Sequence, residues 1–427
     1  MNTNMNYMKM LRKIPKDRLC LIEDGISYTY GDIVRLAEKE SRKLGKASPD
    51  SELSLSKAFP FSLFHGDSIL EQLVLFFASE EAGKIPVILP KEIQVDDTFK
   101  ERVQTAFSML EDKEKICMGV CTSGSKGIPK IYFRTFESWA DFFPVQNQIF
   151  GVKNDSRLFA HGSLSFTGNL NLYLAQFSVG ASVIASNTFA PKHWLEQCEF
   201  QNADSIYLIP DKLFCLPRIA KKTYPAIKNI ISGSQGFGKK EAALLKKIFP
   251  NAKITLYYGA SELNYITYIN GDEMTEETDL IGRAFPHVEI MIKNKEIFVT
   301  TDYHVSGITC PYTLSDTGYI DRNDMLHFTG RSDDIVNLHG RKVSTYRIEQ
   351  TLSSLPGIRE AAVLCDDSAH LQAFVTLNDS DHPDLTGELK QRLSSFEIPK
   401  RITILESMPH NDSGKISKKT LKRLYHL

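Results

Sequence analysis

From His65 the chain reads HGDSILEQLVLFFASEEAGKIPVILP. A polar Asp67-Ser68 start, apolar positions at helical spacing and a halt at Gly83 predict a helix with Asp67 or Ser68 as its N-cap. The apolar run IPVIL that follows predicts a short buried strand. The same rhythm returns downstream. SIYLIP and IKNIIS have the length and β-branched content of strands, KKEAALLKKIF is an amphipathic helix, and AKITLYY is another strand. Strands alternating with helices specify parallel α/β layers, in which ligands sit beyond the carboxyl ends of the strands.

From about Phe285 the pattern changes. VEIMIKNKEIFVTT alternates on either side of Asn294-Lys295 and predicts a hairpin. After FTGRSDD come a helix over STYRIEQTLSSL, strands over REAAVLC and LQAFVTL, a helix near Leu385–Leu393 and a strand over RITIL. That is an α+β unit of roughly a hundred residues, a common domain size. The boundary is expected at Gly330–Asp334, dividing residues 1–331 from residues 332–427.

Composition narrows the class. A chain of 427 residues calls for two or three compact units, and 42% hydrophobic with 24% charged residues is ordinary for globular proteins. Lys+Arg 51 against Asp+Glu 52 leaves a formal charge of -1, without the basic excess that nucleic acid calls for. The opening MNTNMNYMKMLRKIPKDR has no apolar core of a secretory signal, and the longest apolar stretch is too short and too charged to span a bilayer. Seven scattered cysteines without a CxxC pair point to reduced thiols and a cytoplasmic protein. The Cys117–Cys121 spacing suits a metal, but no second Cys/His pair accompanies it.

The chemistry concentrates in CTSGSKGIPK, Cys121–Lys130. Glycines let backbone amides turn toward an anion, hydroxyls add donors, and Lys126 and Lys130 add charge. The stretch fails the Walker pattern G-x-x-x-x-G-K-[ST], because Ser125 precedes Lys126 and Gly127 stands where a magnesium-binding hydroxyl belongs. Taken alone, the remaining readings are an anion cradle and a solvated turn.

TSGSKGIPK resembles the phosphate loop T-S-G-T-T-G-x-P-K of adenylate-forming enzymes: acyl-CoA synthetases, adenylation domains and luciferases. Further signatures of that superfamily follow in order. YYGASE resembles Y-G-x-T-E, and YTLSDTG stands at Y-x-T-G-D. GRSDDIVNLHGRKVSTYRIE resembles G-R-x-D-D-x-I-K-x-x-G-x-R, and MPHNDSGKI resembles the terminal P-x-x-x-x-G-K. The likeness covers Thr122 to Lys415, about two thirds of the chain.

The resemblance implies a large N-terminal lobe of mixed and parallel sheets layered with helices, carrying a small β-barrel-like part, and a small mobile α+β C-terminal domain turning about Asp333. It implies an AMP-forming ligase: a carboxylic acid and Mg-ATP give an acyl-adenylate, and a thiol of CoA or of a carrier protein's phosphopantetheine accepts the acyl group. Thr122, Ser123, Gly124, Ser125, Lys126, Gly127 and Lys130 would hold the phosphates. Gly233, Ser234, Tyr258 and Gly259 would line the adenine, Ser261 would donate to the α-phosphate, and Glu262 would ligate magnesium. Asp316 would accept from the ribose hydroxyls, with Arg331 nearby. Lys415 would bridge carboxylate and phosphate, and Gly340 would line the thiol's tunnel. Structural alternatives stand beside these: a core-packed Tyr258, a turn aspartate at Asp316 and a surface lysine at Lys415.

The departures carry information about the acid. Modular amino-acid-activating domains have F-D where this chain has Phe166-Thr167, counted back from Gly180, and a neutral threonine cannot offset the desolvation of an ammonium. The expected substrate is therefore an aryl or a short-to-medium acyl acid without an α-amine, in a pocket bordered by His161, Phe166, Thr167 and Gly168. His161 has a core-histidine alternative. Only about thirty residues separate VILP from the phosphate loop, so peripheral elements of the larger relatives are expected to be absent. A nucleotide-binding relative without turnover is the alternative function. No nucleic-acid or membrane partner is expected.

Overall fold

Ser68 Oγ accepts from the Glu71 backbone N–H at 3.0 Å and starts the helix Ile69–Glu81, while Glu71 reaches back to the Asp67 N–H at 2.7 Å. Of the two candidate caps the serine is therefore used, because the side chain three residues on satisfies the preceding amide. Such local agreement recurs along the chain. The computed structural model describes residues 5–44, 59–122, 130–331, 334–338, 341–366, 368–378, 384–410 and 416–427. The chain folds as two compact units. One comprises Met1–Glu277, Ala284–Glu289 and Thr300–Cys310; the other comprises Thr278–Arg283, Ile290–Val299 and Pro311–Leu427.

The larger unit contains strands β1 (Leu19–Glu23), β2 (Ile26–Thr29), β3 (Phe61–Phe64), β4 (Ile85–Ile88), β5 (Ile116–Thr122), β6 (Lys130–Thr135), β7 (Arg157–His161), β8 (Ser182–Ser186), β9 (Ser205–Tyr207), β10 (Asn229–Gly233), β11 (Lys253–Ala260) and β12 (Asn264–Asn270). Its main sheet has the order β12-β11-β10-β9-β7-β8-β1-β2. From β11 to β1 every neighbour is parallel, and the antiparallel β12 and β2 lie at the two ends of that run. A second sheet, β3-β4-β5-β6, is parallel until β6 turns back along β5. Phe61, Val87 and Phe133 close its core against the helix Asp97–Ser108, which occupies the short stretch before the phosphate loop.

The helix Thr167–Ser178 is buried from Asn169 through Phe177, so its polar residues need partners. Asn171 Oδ1 accepts from the Tyr265 hydroxyl at 3.0 Å, and Asn169 Nδ2 donates to the carbonyls of Gly162 and Ser163 at 2.9 and 3.0 Å.

The smaller unit contains β13 (Leu280–Ala284), β14 (Glu289–Lys293), β15 (Glu296–Thr300), β16 (Tyr312–Ile320), β17 (Leu326–Arg331), β18 (Ile335–Leu338), β19 (Arg341–Ser344), β20 (Ile358–Cys365), β21 (Leu371–Leu377) and β22 (Arg401–Leu405). Asn294 and Lys295 both adopt positive φ, 53° and 67°, as a two-residue hairpin turn requires, and β14 and β15 are neighbours in the sheet order β14-β15-β16-β17-β13. Toward the C-terminus β20 pairs antiparallel and β22 parallel with β21, and the helices Thr345–Ser353 and Leu385–Arg392 pack Ile348, Leu352, Leu385 and Leu389 on that sheet. The fold is thus a large mixed α/β lobe followed by a smaller α+β domain.

Candidate active site

Within the larger unit the parallel strands end side by side: Ser186 on β8, His161 on β7, Tyr207 on β9, Gly233 on β10 and Tyr257 to Ala260 on β11. Open α/β sheets bind ligands at this edge. Ser261 and Glu262 follow directly in the turn between β11 and β12.

Two stretches distant in sequence meet here. Ser261 Oγ donates to Thr167 Oγ1 at 3.0 Å, joining the residue expected at the α-phosphate to one expected in the acid pocket. Gly168, next along, lies where any Cβ would come 2.7 Å from the Tyr207 hydroxyl. That hydroxyl shares a 2.9 Å hydrogen bond with Tyr257. A Cβ on Gly233 would meet the Tyr257 ring at 2.5 Å, so glycine lets the ring lie against the end of β10. Ser234 follows in a left-handed conformation with φ 76°, which costs a non-glycine residue about 1 kcal/mol and is a feature that clusters at ligand sites. Tyr258 and Gly259 stand at the β-bulge where β11 shifts register against β12. Phe166 precedes the first turn of the helix Thr167–Ser178.

Arg134, on β6, was not singled out from the sequence. It is fully buried. Its Nη2 donates to the Ser261 carbonyl at 2.7 Å, its Nη1 donates to the Tyr303 carbonyl at 3.0 Å and to Ser138 Oγ at 3.2 Å, and its guanidinium lies 5.0 Å from the Trp139 ring centroid. Burial pushes its pKa down to about 10, while the neighbouring Glu262 among others supports the charge. The Glu262 carbonyl accepts from Val305 N at 2.8 Å, so both ends of the Ser261-Glu262 turn are fixed. The Glu262 carboxylate makes no hydrogen bond or ion pair with a described residue, which leaves its oxygens available to a hard cation.

His161 packs against Trp194 at 4.6 Å between ring centroids, with Phe189 beyond. Burial, with the Lys212 ammonium nearby, drives its pKa down to about 3, so the ring is neutral. Both its ring nitrogens are buried without a well-formed hydrogen bond.

Thr122 and Lys130 face each other across the β5–β6 ladder and bracket the Gly/Ser/Lys loop. Ser123, Gly124, Ser125, Lys126 and Gly127 lie outside the described residues, as do Asp333, Gly340 and Lys415. Asp316 and Arg331 belong to the smaller unit, where they are opposed across β16 and β17. Arg331 Nε donates to Asp316 Oδ1 at 2.9 Å, with the carboxylate buried and the guanidinium more than half exposed.

The AMP-binding enzyme family model matches residues 63–303, and the model of the AMP-binding enzyme C-terminal domain matches residues 347–415. The chain therefore belongs to the AMP-binding enzyme family. It is an ATP-dependent, AMP-forming ligase of the acyl-CoA synthetase and adenylation class. Among its relatives, an uncharacterized acyl-CoA ligase of Bacillus subtilis is 26% identical over 80% of this chain and 74% of its own. The 3,4-dihydroxybenzoate–[aryl-carrier protein] ligase of Bacillus anthracis is 26% identical over 94% of this chain and 98% of its own. In fold the chain is similar to the O-succinylbenzoate coenzyme A synthetase of Bacillus subtilis solved with ATP and magnesium, with TM-score 0.81, 17% identity and coverage of 98% and 99%. It is also similar to ATP-bound MatB of Rhodopseudomonas palustris, with TM-score 0.80, 18% identity and coverage of 99% of both chains.

Proposed function

We propose that this enzyme activates a carboxylic acid lacking an α-amine, either aryl or short-to-medium acyl, and passes the acyl group from its adenylate to the thiol of CoA or of a carrier-protein phosphopantetheine. The observation that carries this reading is the Ser261–Thr167 hydrogen bond, which brings a nucleotide motif against the acid-pocket stretch at the sheet edge. Thr167 supplies no negative charge to an ammonium, and His161 is neutral, so neither favours an α-amine.

In this reading Ser261 donates to the α-phosphate, and Tyr257, Tyr258, Gly233, Ser234 and Gly259 shape the adenine site. Asp316 accepts from the ribose hydroxyls beside Arg331. Glu262 fits magnesium because its carboxylate has no committed partner among the described residues, and bound magnesium would offset the charge of the phosphates. Arg134 holds the turn in place and touches neither substrate. Thr122, Lys130 and the loop 123–127 bind the pyrophosphate end, Lys415 bridges carboxylate and phosphate, and Gly340 borders the thiol path in a domain that turns about Asp333, with residues 332–427 as the mobile part. The names of the two Bacillus relatives support both acyl and aryl acids, and both CoA and a carrier protein. No helix among the described residues is long and apolar enough to cross a membrane. All seven cysteines are free, which supports a reducing, cytoplasmic setting.

Acid-dependent ATP–pyrophosphate exchange across aryl, acyl and amino acids tests the reading, with thiol transfer followed by adding CoA or a loaded carrier protein. Exchange with simple acids and not with amino acids is the expected result. A preference for ordinary amino acids would overturn the acid assignment, and silence across the panel would favour a nucleotide-binding relative without turnover.

A further inference from the structure

Lys212 lies in the short helix Pro210–Leu213, just beyond the carboxyl end of β9. Its ammonium is 3.5 Å from the point where a Cβ on Gly162 would project, and its charge is felt by His161. It therefore stands beside the stretch read here as the acid pocket. The side chain is half-buried, and among the described residues its Nζ makes no hydrogen bond and no ion pair. Two neighbours bear on its charge. Asp211, on the same short helix, favours the ammonium, but its Oδ2 is occupied by Gln235 Nε2 at 3.1 Å. His161, at the end of β7, is neutral. Asn169 Nδ2 also lies beside Gly162, and it donates to the carbonyls of Gly162 and Ser163.

An ammonium taken out of water is normally paired. This chain obeys that rule elsewhere: Lys418, similarly buried, lies 2.8 Å from Glu349 and 3.4 Å from Asp334. Lys212 departs from the rule among the described residues, and it does so at the ligand edge of the sheet. An anion that arrives with the substrate would complete it, with a hydrogen bond that gains strength from partial desolvation.

We propose that Lys212 sets the acid specificity of this enzyme, and that the acid it activates carries a second anionic group, a distal carboxylate, which pairs with this ammonium. The inference rests on the reading of His161–Gly168 as the acid pocket. The reacting carboxylate belongs near Thr167 and Ser261, and Gly162 is at most ~18 Å of extended chain from Thr167. Short- and medium-chain diacids and aryl diacids all fall within that bound. The same cation disfavours any substrate with an ammonium at this end, in agreement with the neutral Thr167.

The test is calorimetric binding to the full chain with saturating AMP, comparing glutarate, adipate and phthalate with valerate, hexanoate and benzoate. At least one diacid should bind about tenfold or more tightly than its monoacid partner. Lys212→Met should erase that difference by weakening the diacid alone, and Lys212→Arg should keep it. Lys212→Met removes a half-buried charge, and a denaturation midpoint no lower than the parent's verifies that the fold is intact. No diacid binding, equal affinity for both members of every pair, or a Lys212→Met variant that retains the difference would each overturn the proposal. Pyrophosphate exchange separates it from the parent reading. Exchange driven by monoacids but by no diacid sinks only the role of Lys212. Diacid binding that depends on Lys212, without exchange from any acid, upholds the anion site and sinks the ligase assignment.

Discussion

Arg134 Nη2 donates to the Ser261 carbonyl at 2.7 Å, so the strand leaving the Gly/Ser/Lys loop is tied to the turn that carries Glu262. The guanidinium also holds Tyr303, and no water reaches it. Arg134→Ala would strand two part-buried carbonyls and is expected to lower stability by about 3 kcal/mol, since each orphaned group costs about 1–3 kcal/mol. A urea midpoint that falls with an unchanged slope would register this. The variant's exchange activity should fall through kcat, because the turn is displaced while the substrate pocket persists.

Glu80 makes the fold sensitive to pH. Its buried carboxylate accepts from the backbone amides of Tyr7 and Met8 at 3.3 and 2.7 Å, yet burial outweighs these bonds and raises its pKa from 4.5 to about 8. The folded state therefore keeps the proton that the unfolded chain has already released. Stability is fully present below the unfolded pKa of 4.5 and is lost progressively as pH rises through about 8. Glu80→Gln should flatten that decline. Parallel denaturation midpoints for the two proteins across this window would assign the slope to another group.

Close approach at Gly233 gives a third expectation. A methyl group there would sit 2.5 Å from the Tyr257 ring, which cannot swing clear because its hydroxyl is held by Tyr207. Gly233→Ala should cost about 1–3 kcal/mol by overpacking and should weaken ATP binding at the same time. Denaturation and nucleotide titration measure the two effects separately.

Lys415, outside the described residues, is expected to act on the reaction and not on nucleotide affinity. Lys415→Ala should slow acid-dependent pyrophosphate exchange by at least about 10² to 10³-fold while ATP binding stays near normal. Near-normal exchange would remove the catalytic assignment.

Lys212 supplies a pH signature of its own. Burial lowers its pKa to about 8. Pairing requires the charged form, so diacid affinity should be level below that value and fall above it toward that of the matching monoacid. Monoacid affinity should show no such break. Titrations in matched buffers distinguish the two profiles.

Local physics made the frame readable. The Ser68 start, the Asn294-Lys295 turn and the strand runs each owe their form to neighbours a few residues away. The reaction class was legible by another route, the resemblance of the ordered motifs to those of adenylate-forming enzymes. The residues that arrange the site were not legible, because their surroundings are assembled from afar. Arg134 looks like an isolated charge after Phe133 until residues 138, 261 and 303 converge on it. Lys212 has no unusual neighbours in sequence, and its lack of a partner among the described residues is visible only once β7 and β9 are adjacent. The Tyr207–Tyr257 pair depends equally on a sheet order that no local pattern states.

The larger unit is discontinuous: residues 300–310 return to it after the chain has entered the smaller one. During synthesis on the ribosome, Arg134 must wait for Tyr303, Phe133 for Ser306 and Glu262 for Val305. A nascent chain halted before residue 300 would hold an uncapped guanidinium in an unfinished interior, vulnerable to aggregation and to capture by chaperones. Translation must therefore run well past the sheet itself before the large lobe can close.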